Sequence, residues 1–276
     1  MKKQNNKIEE KQGLDLSRRE FPLLELNGFT YEIDVSLMEL REVEKPFNSI
    51  PLAGLYDREG YYSVPMNDQG MLLKRSETQP LWFTFGELVK IIPEEVSRVY
   101  EIPLDQLPEH DNELRSPQDL IDKRLSGVLP QIRIIDQDYI VDIRKEELRC
   151  CSQPFKKIPL INNGPDSAVI DDRYVYLFDL VNGIINKQLF TLTSVPEHHV
   201  FIVIPDMITL DPVAAGLIFH NDPQAFLNRY PVQQHMEARV VPIHKTWLPE
   251  TIRRNGIQQK KAKKNIKKSG NRRLRL

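Results

Sequence analysis

Cysteine is nearly absent from this 276-residue chain, and its two copies, Cys150 and Cys151, are adjacent. A disulfide framework or a cysteine zinc site needs more of them at suitable spacing, so both are excluded. Glycine is also scarce, at 12 residues with no dense cluster. No G-x-G-x-x-G, G-x-x-x-x-G-K-[ST] or G-x-S-x-G occurs, which leaves little scope for a phosphate-cradling loop or a nucleophile elbow, and no cofactor is expected. There is no run of eighteen apolar residues, and the N-terminus (MKKQNNKIEEKQ) lacks the apolar stretch of a signal peptide. Nothing is expected to span or cross a membrane, and a cytoplasmic chain is the expectation.

What the sequence does hold is a repeat. Residues 24 to 52 return without a gap 108 positions later, at 132 to 160, with ten of twenty-nine positions identical. Average residue frequencies would give about two. The identities include Tyr31/Tyr139, Asp34/Asp142, Glu39/Glu147, Arg41/Arg149, Pro46/Pro154 and Phe47/Phe155. Matching resumes after about five extra residues, with Tyr61 against Tyr174 and Gly70 against Gly183. Cys150 and Cys151 replace Glu42 and Val43 of the first copy, which predicts one buried thiol and one near the surface.

The pattern predicts an α+β fold made of tandem duplicated β-hairpin-plus-helix units, a mixed C-terminal module and a disordered basic tail. Residues 1–20 read as a disordered arm, 21–100 as the first repeat domain, 101–130 as linker and helix, and 131–187 as the second repeat core. A C-terminal α+β module at 188–252, with no counterpart after the first copy, and the tail at 253–276 complete the chain. Alternating apolar residues around Asn27-Gly28, a pair suited to positive φ, predict a hairpin, repeated around Asp136-Gln137. The duplicated Asp34 and Asp142 are expected to cap short helices, SLMELR and RKEELR, that end by Pro46 and Pro154. Strands are expected at 61–65, 71–74, 173–179, 200–204 and 240–243. Helices are expected at 86–100 with a break at Pro93, after a Ser116-Pro117 cap, at 212–219, at 223–230 and from Pro249.

Paired aspartates invite a search for two carboxylates sharing a proton, but that chemistry needs Asp-Thr/Ser-Gly. Here Asp34 precedes Val-Ser and Asp142 precedes Ile-Arg, so turn formation or capping accounts for both. Tyr31, Asp34, Arg41, Pro46, Tyr139, Asp142, Arg149 and Pro154 are therefore expected to define the repeat structurally, with Glu39 and Arg41 pairing on one short helix. Five of six histidines (His198, His199, His220, His235, His244), with Asp206, Asp211 and Asp222, lie in the C-terminal module. No metal spacing such as H-E-x-x-H accompanies them, so no metal site is assigned.

Charge is unevenly shared. Residues 253–276 hold 11 basic and no acidic residues. Taking those 11 from the chain's 38 leaves 27 basic against 39 acidic residues in 1–252. Arg253, Arg254, Lys260, Lys261, Lys263, Lys264, Lys267, Lys268, Arg272, Arg273 and Arg275 form a run able to neutralise phosphates, without aromatic residues among them for base stacking. The expected function is a non-enzymatic binding or scaffold protein, its tail on nucleic acid and its acidic body on a protein partner. Two alternatives stand beside it: a hydrolase or metal-assisted enzyme using the C-terminal His and Asp residues, and an assembly protein whose tail docks on a neighbouring acidic body.

Overall fold

The computed structural model describes residues 20–55, 60–72, 80–160, 167–170 and 173–259. The fold is α+β. Its first sheet is a four-stranded antiparallel meander of β1 (Leu23–Leu26), β2 (Phe29–Asp34), β3 (Glu39–Glu42) and β4 (Ser49–Pro51). The next meander, β7 (Gln131–Ile134), β8 (Gln137–Asp142), β9 (Glu147–Cys150) and β10 (Lys157–Pro159), starts and stops every strand 108 positions later. Asn27 and Gly28 take φ of 53° and 75° at the first turn, as expected; the second turn is Ile135-Asp136, one residue earlier than expected, with Ile135 at φ 62°.

The helices expected after Asp34 and Asp142 are absent. Each Asp accepts a backbone N–H three residues on, Leu37 N at 3.1 Å and Lys145 N at 3.2 Å, and so holds a turn. Met38 and Glu146 then adopt φ of 49° and 52°, a left-handed geometry that a right-handed helix cannot contain. Glu39, Leu40 and Arg41 instead join a ladder between β2 and β4. Tertiary pairing overrides the local helix preference of these sequences.

After each meander comes a hairpin and a pair of short helices. In the first unit these are β5 (Tyr61–Met66), β6 (Leu81–Gly86), α1 (Leu88–Ile91) and α2 (Pro93–Tyr100); α3 (Gln118–Leu125) follows before the second meander. In the second they are β12 (Arg173–Asp179), β14 (His199–Ile204), α4 (Met207–Leu210) and α5 (Pro212–His220), with β11 (Ser167–Ile170) and β13 (Ile184–Ile185) beside β12. Phe85 pairs with Tyr62 as Ile204 pairs with Tyr174, and α1 and α4 both begin 119 positions apart. Tyr62 is therefore the partner of Tyr174, not Tyr61. A one-residue slip in a strand moves a side chain to the opposite face, and Tyr62 and Tyr174 point into their cores whereas Tyr61 does not. The 71–74 strand reduces to a bridge from Met66 to Leu72, with 73–79 outside the described residues.

The segment from 188 is no separate module. Ile132, Tyr139 and Leu148 share one core with Ile202, Ile204 and Ala214, and β14, α4 and α5 have their counterparts in β6, α1 and α2. Besides β11 and β13, the second unit has later elements without a described counterpart in the first: β15 (His235–Glu237), β16 (Arg239–Val241) and a helix, α6, at 248–259. β15 adds in parallel to the edge of β7, and β16 adds antiparallel to the edge of β14. Leu248 and Ile252 of α6 then close a further cluster with Val175, Leu177, Phe201 and Val203 on the outer face of the same sheet. Burying a side chain of this kind contributes about 1.5–3 kcal/mol, so this C-terminal clip is a large part of the second unit's stability.

Two expected helical features are corrected. Residues 223–230 form turns and a bend, and among the described residues Asp222 Oδ1 accepts only the Gln224 N–H. The Ser116 hydroxyl does not cap α3; it accepts the Val232 N–H at 2.7 Å and ties the linker to the C-terminal segment. The expected arm and most of the tail, 1–19 and 260–276, lie outside the described residues.

Candidate binding surfaces

The two units meet through charges on β3. Arg41 donates from Nε to Glu32 Oε2 at 2.9 Å, and from Nη1 to Asp34 Oδ2 at 3.2 Å and Glu39 Oε1 at 3.0 Å. Glu39 is almost fully buried and reaches across the junction, with Oε2 at 2.6 Å from Arg173 Nη2 and Oε1 at 3.6 Å from Arg239 Nη1. Burial works to raise the Glu39 carboxyl, but the charges of Arg173, Arg239 and Arg41 outweigh it and hold it below the ordinary glutamate range. Arg239 also donates to Pro46 O at 2.7 Å and lies over the Phe47 ring. Its Nε and Nη2 are buried with no hydrogen-bond partner among the described residues. Burial pushes this guanidinium down, to about 9, with Arg41 and Arg173 adding to the effect and Glu39 opposing it.

Beside this network lies a cleft of about 580 Å³ between the units. Glu32, Asp34, Ser36, Arg41 and Arg98 line one side, and Gln131, Arg133, Gln233, His235 and Arg239 the other. Gln233 clamps one rim, donating to Ser36 O at 2.8 Å while the Ser36 hydroxyl donates to its Oε1 at 2.6 Å. The cleft mixes both signs of charge, and most of its ions are already paired.

Of the residues expected to define the repeat, Tyr31 and Tyr139 are core side chains whose hydroxyls burial pushes up to about 12. Asp34 and Asp142 hold their own turns. Arg41 and Pro46 enter the junction between units, whereas among the described residues the Arg149 side chain makes only a 3.8 Å contact with Glu147 in a partly exposed pair. Phe47 packs edge-on against Phe201, with centroids 6.1 Å apart, while its counterpart Phe155, next to Pro154, is 79% exposed. Sequence reasoning missed Arg173 and Arg239. The available signal was an arginine at the start of each of two apolar strands, RYVYLF and RVV, where an unpaired guanidinium is costly to bury.

The C-terminal histidines serve separate local roles. His199 contacts Asn186 Nδ2 at 3.0 Å and Glu197 O at 2.6 Å. His220 meets Phe226 edge-on, and His198, His235 and His244 are exposed. Asp206 caps α4, and Asp211 caps α5 while pairing with Arg124 at 2.7 Å. Asp222 is the turn residue described above. Among the described residues no group of three or more His, Cys, Asp or Glu is placed to hold a metal ion. Cys150 is buried and Cys151 exposed, as the repeat predicts.

The basic run begins on α6. Asn255 Nδ2 donates to Phe190 O and Leu192 O, at 2.9 and 2.8 Å, and fixes the helix, while Arg253 and Arg254, 72% and 69% exposed, pair with Glu250 at 3.9 and 2.6 Å. Lys260 to Arg275 lie outside the described residues. Among the described residues no helix is long and apolar enough to cross a membrane. No known protein family, no curated protein and no solved structure matches this chain.

Proposed function

We propose that the chain is a cytoplasmic, non-catalytic adaptor that holds nucleic acid through its basic C-terminal run and offers its acidic body to protein. The observation that supports this most is the anchoring of α6. Leu248 and Ile252 are packed into the second unit, so the run starts from a fixed point, its first two guanidinium groups exposed beside Glu250. A run of this charge gains affinity by releasing counterions from phosphates and carries little sequence information of its own.

The test compares the full chain with a full-length variant in which the nine Lys and Arg residues from 260 to 275 are Gln. Binding of an unrelated DNA duplex and an unrelated single-stranded RNA is titrated over a range of salt. The reading requires log K to fall with log salt for the native chain, with similar affinities for unrelated sequences. The slope must flatten and the affinity must drop at low salt in the variant. Equal affinity and equal slope for the two proteins would end it.

A further inference from the structure

The two units differ in what covers their sheet edges. In the second, the clip adds a strand to β7, where Gln131 N donates to Gln234 O and Ala238 N donates to Arg133 O, both at 2.8 Å. It then adds a strand to β14 along Phe201–Val203, and Met236 and Ala238 enter the core. The equivalent edges in the first unit are β1 and β6, at Leu23 N, Glu25 O and residues 82–84. Among the described residues β1 pairs only with β2, and β6 only with β5. The side chains record the same difference: Phe201 is fully buried beneath the clip, whereas Trp82, its positional equivalent, is 62% exposed, with Leu81 at 49% and Leu23 at 63%.

We infer that the β1 and β6 edges of the first unit form a docking site for an extended basic segment of a different polypeptide, seated as residues 235–241 are seated on the second unit. Main-chain groups on an open sheet edge supply affinity to such a strand, and pockets for alternate side chains supply selectivity. Natural folds cover or blunt an open apolar edge, and the second unit shows what the cover is. The occupant is not a second copy of this chain, because every copy brings two such sites and one clip. A copy that lent its clip would open as many edges as it closed. Charge selects a basic segment: a groove beside Leu23 is lined by Glu20 and Glu44, both exposed, and by Glu32 and Glu42, which Arg41 and Lys45 already pair, with no Lys or Arg among its described lining residues. This gives the protein-binding half of the proposed function a place and rests on that half alone. The experiment below reads the edge and the salt titration reads the tail, so either can fail without the other.

The probe is a synthetic peptide of residues 234–245 of this chain carrying Glu237→Lys, titrated into the full chain and followed by amide NMR and hydrogen exchange. The expected result is saturable binding of one peptide per chain, with at least tenfold slower exchange of the Leu23 amide and of the outward amides in 82–84. Leu23→Pro removes the outward donor but leaves the ladder to β2 intact, since edge positions tolerate proline. That variant and Trp82→Asp should each weaken binding at least tenfold. Four results would overturn the inference. They are no binding at about 1 mM peptide, the weak end of measurable affinity; perturbation at β7 and β14 instead; self-association of the chain through these edges; and a Leu23 amide already as protected in the free chain as that of Gln131, which would mean that another part of the same chain covers the edge.

Discussion

Glu39 Oε2 lies 2.6 Å from Arg173 Nη2, joining the middle of the first meander to the first residue of β12. Three arginines share this one carboxylate, and two of them belong to the other unit. Removing one side of a buried ion network costs more than the network contributes, because the remaining charges stay buried. Glu39→Gln should therefore lower unfolding free energy by about 3–5 kcal/mol in urea titrations. Glu147→Gln, at the matching position but in contact with exposed Lys157, should cost about 1 kcal/mol or less. Arg239→Leu should cost less than Glu39→Gln, since it leaves Glu39 with Arg41 and Arg173 and removes two unpartnered guanidinium nitrogens. Equal losses at Glu39 and Glu147 would remove Glu39 from its place as the junction's anchor.

The same carboxyl sets an acid dependence. Its folded value lies below the ordinary one, so as pH falls the unfolded chain takes up this proton first. The contribution is fully present above about pH 4.3, the usual glutamate value, and is lost as pH drops through the lower folded value. The difference in unfolding free energy between the native chain and Glu39→Gln should therefore shrink between pH 5 and pH 3. A difference that is flat or grows towards acid would contradict the assignment.

The two helix pairs are capped by different means. In the second unit Asp206 caps α4 from the adjacent position, accepting Ile208 N at 2.8 Å and Thr209 N at 3.2 Å. In the first, Glu87 occupies that position without a capping bond. Asp111, from twenty-odd residues downstream, accepts Leu88 N at 2.7 Å, Val89 N at 2.9 Å and the Tyr62 hydroxyl at 2.9 Å. Asp111→Ala leaves three buried donors and should cost about 3 kcal/mol; Asp206→Ala should cost about 1 kcal/mol. Thermal unfolding of the two variants gives the comparison, and a larger loss at Asp206 would refute it.

Two glycines in helices should respond with opposite sign. A Cβ at Gly216 in α5 would sit 2.3 Å from Asp222 O, whereas one at Gly256 in α6 meets nothing within 4 Å. Alanine ordinarily improves a helix by about 1 kcal/mol over glycine. Gly256→Ala should raise stability by up to that amount, while Gly216→Ala should lower it by about 1–3 kcal/mol through overpacking against backbone. Urea midpoints measured side by side decide the sign.

How much of this was legible in the sequence depends on the range of the forces involved. The Asn27-Gly28 turn, the Pro93 and Pro212 helix starts and the buried 200–204 strand follow from local chemistry, the one-buried, one-exposed cysteine pair follows from the repeat, and the structure has them. SLMELR misled because its helix preference lost to strand pairing on both sides, with Met38 at positive φ. The likeness of β14, α4 and α5 to β6, α1 and α2 was hidden because it survives in pairing and capping positions while the side chains differ. Arg239, Arg173 and Asp111 act at separations of 22 to 200 residues, where periodicity says nothing. The open β1 and β6 edges become visible only when the occupied ones are seen beside them.

The clip also orders events in time. Residues 235–252 are synthesised after both units they serve. Until they emerge, β7 and β14 keep open edges, the sheet over Phe201 lacks its cover, and Glu39 waits for one of its three guanidinium partners. Domains complete themselves as they leave the ribosome, N-terminal ones first, yet closure of this second unit waits for residues 235–252, after all its other strands. A chain cut short before residue 235 would lose Met236 and Ala238 from its second core together with every basic residue from 253 on, so that basic run is displayed only by molecules whose second core can close.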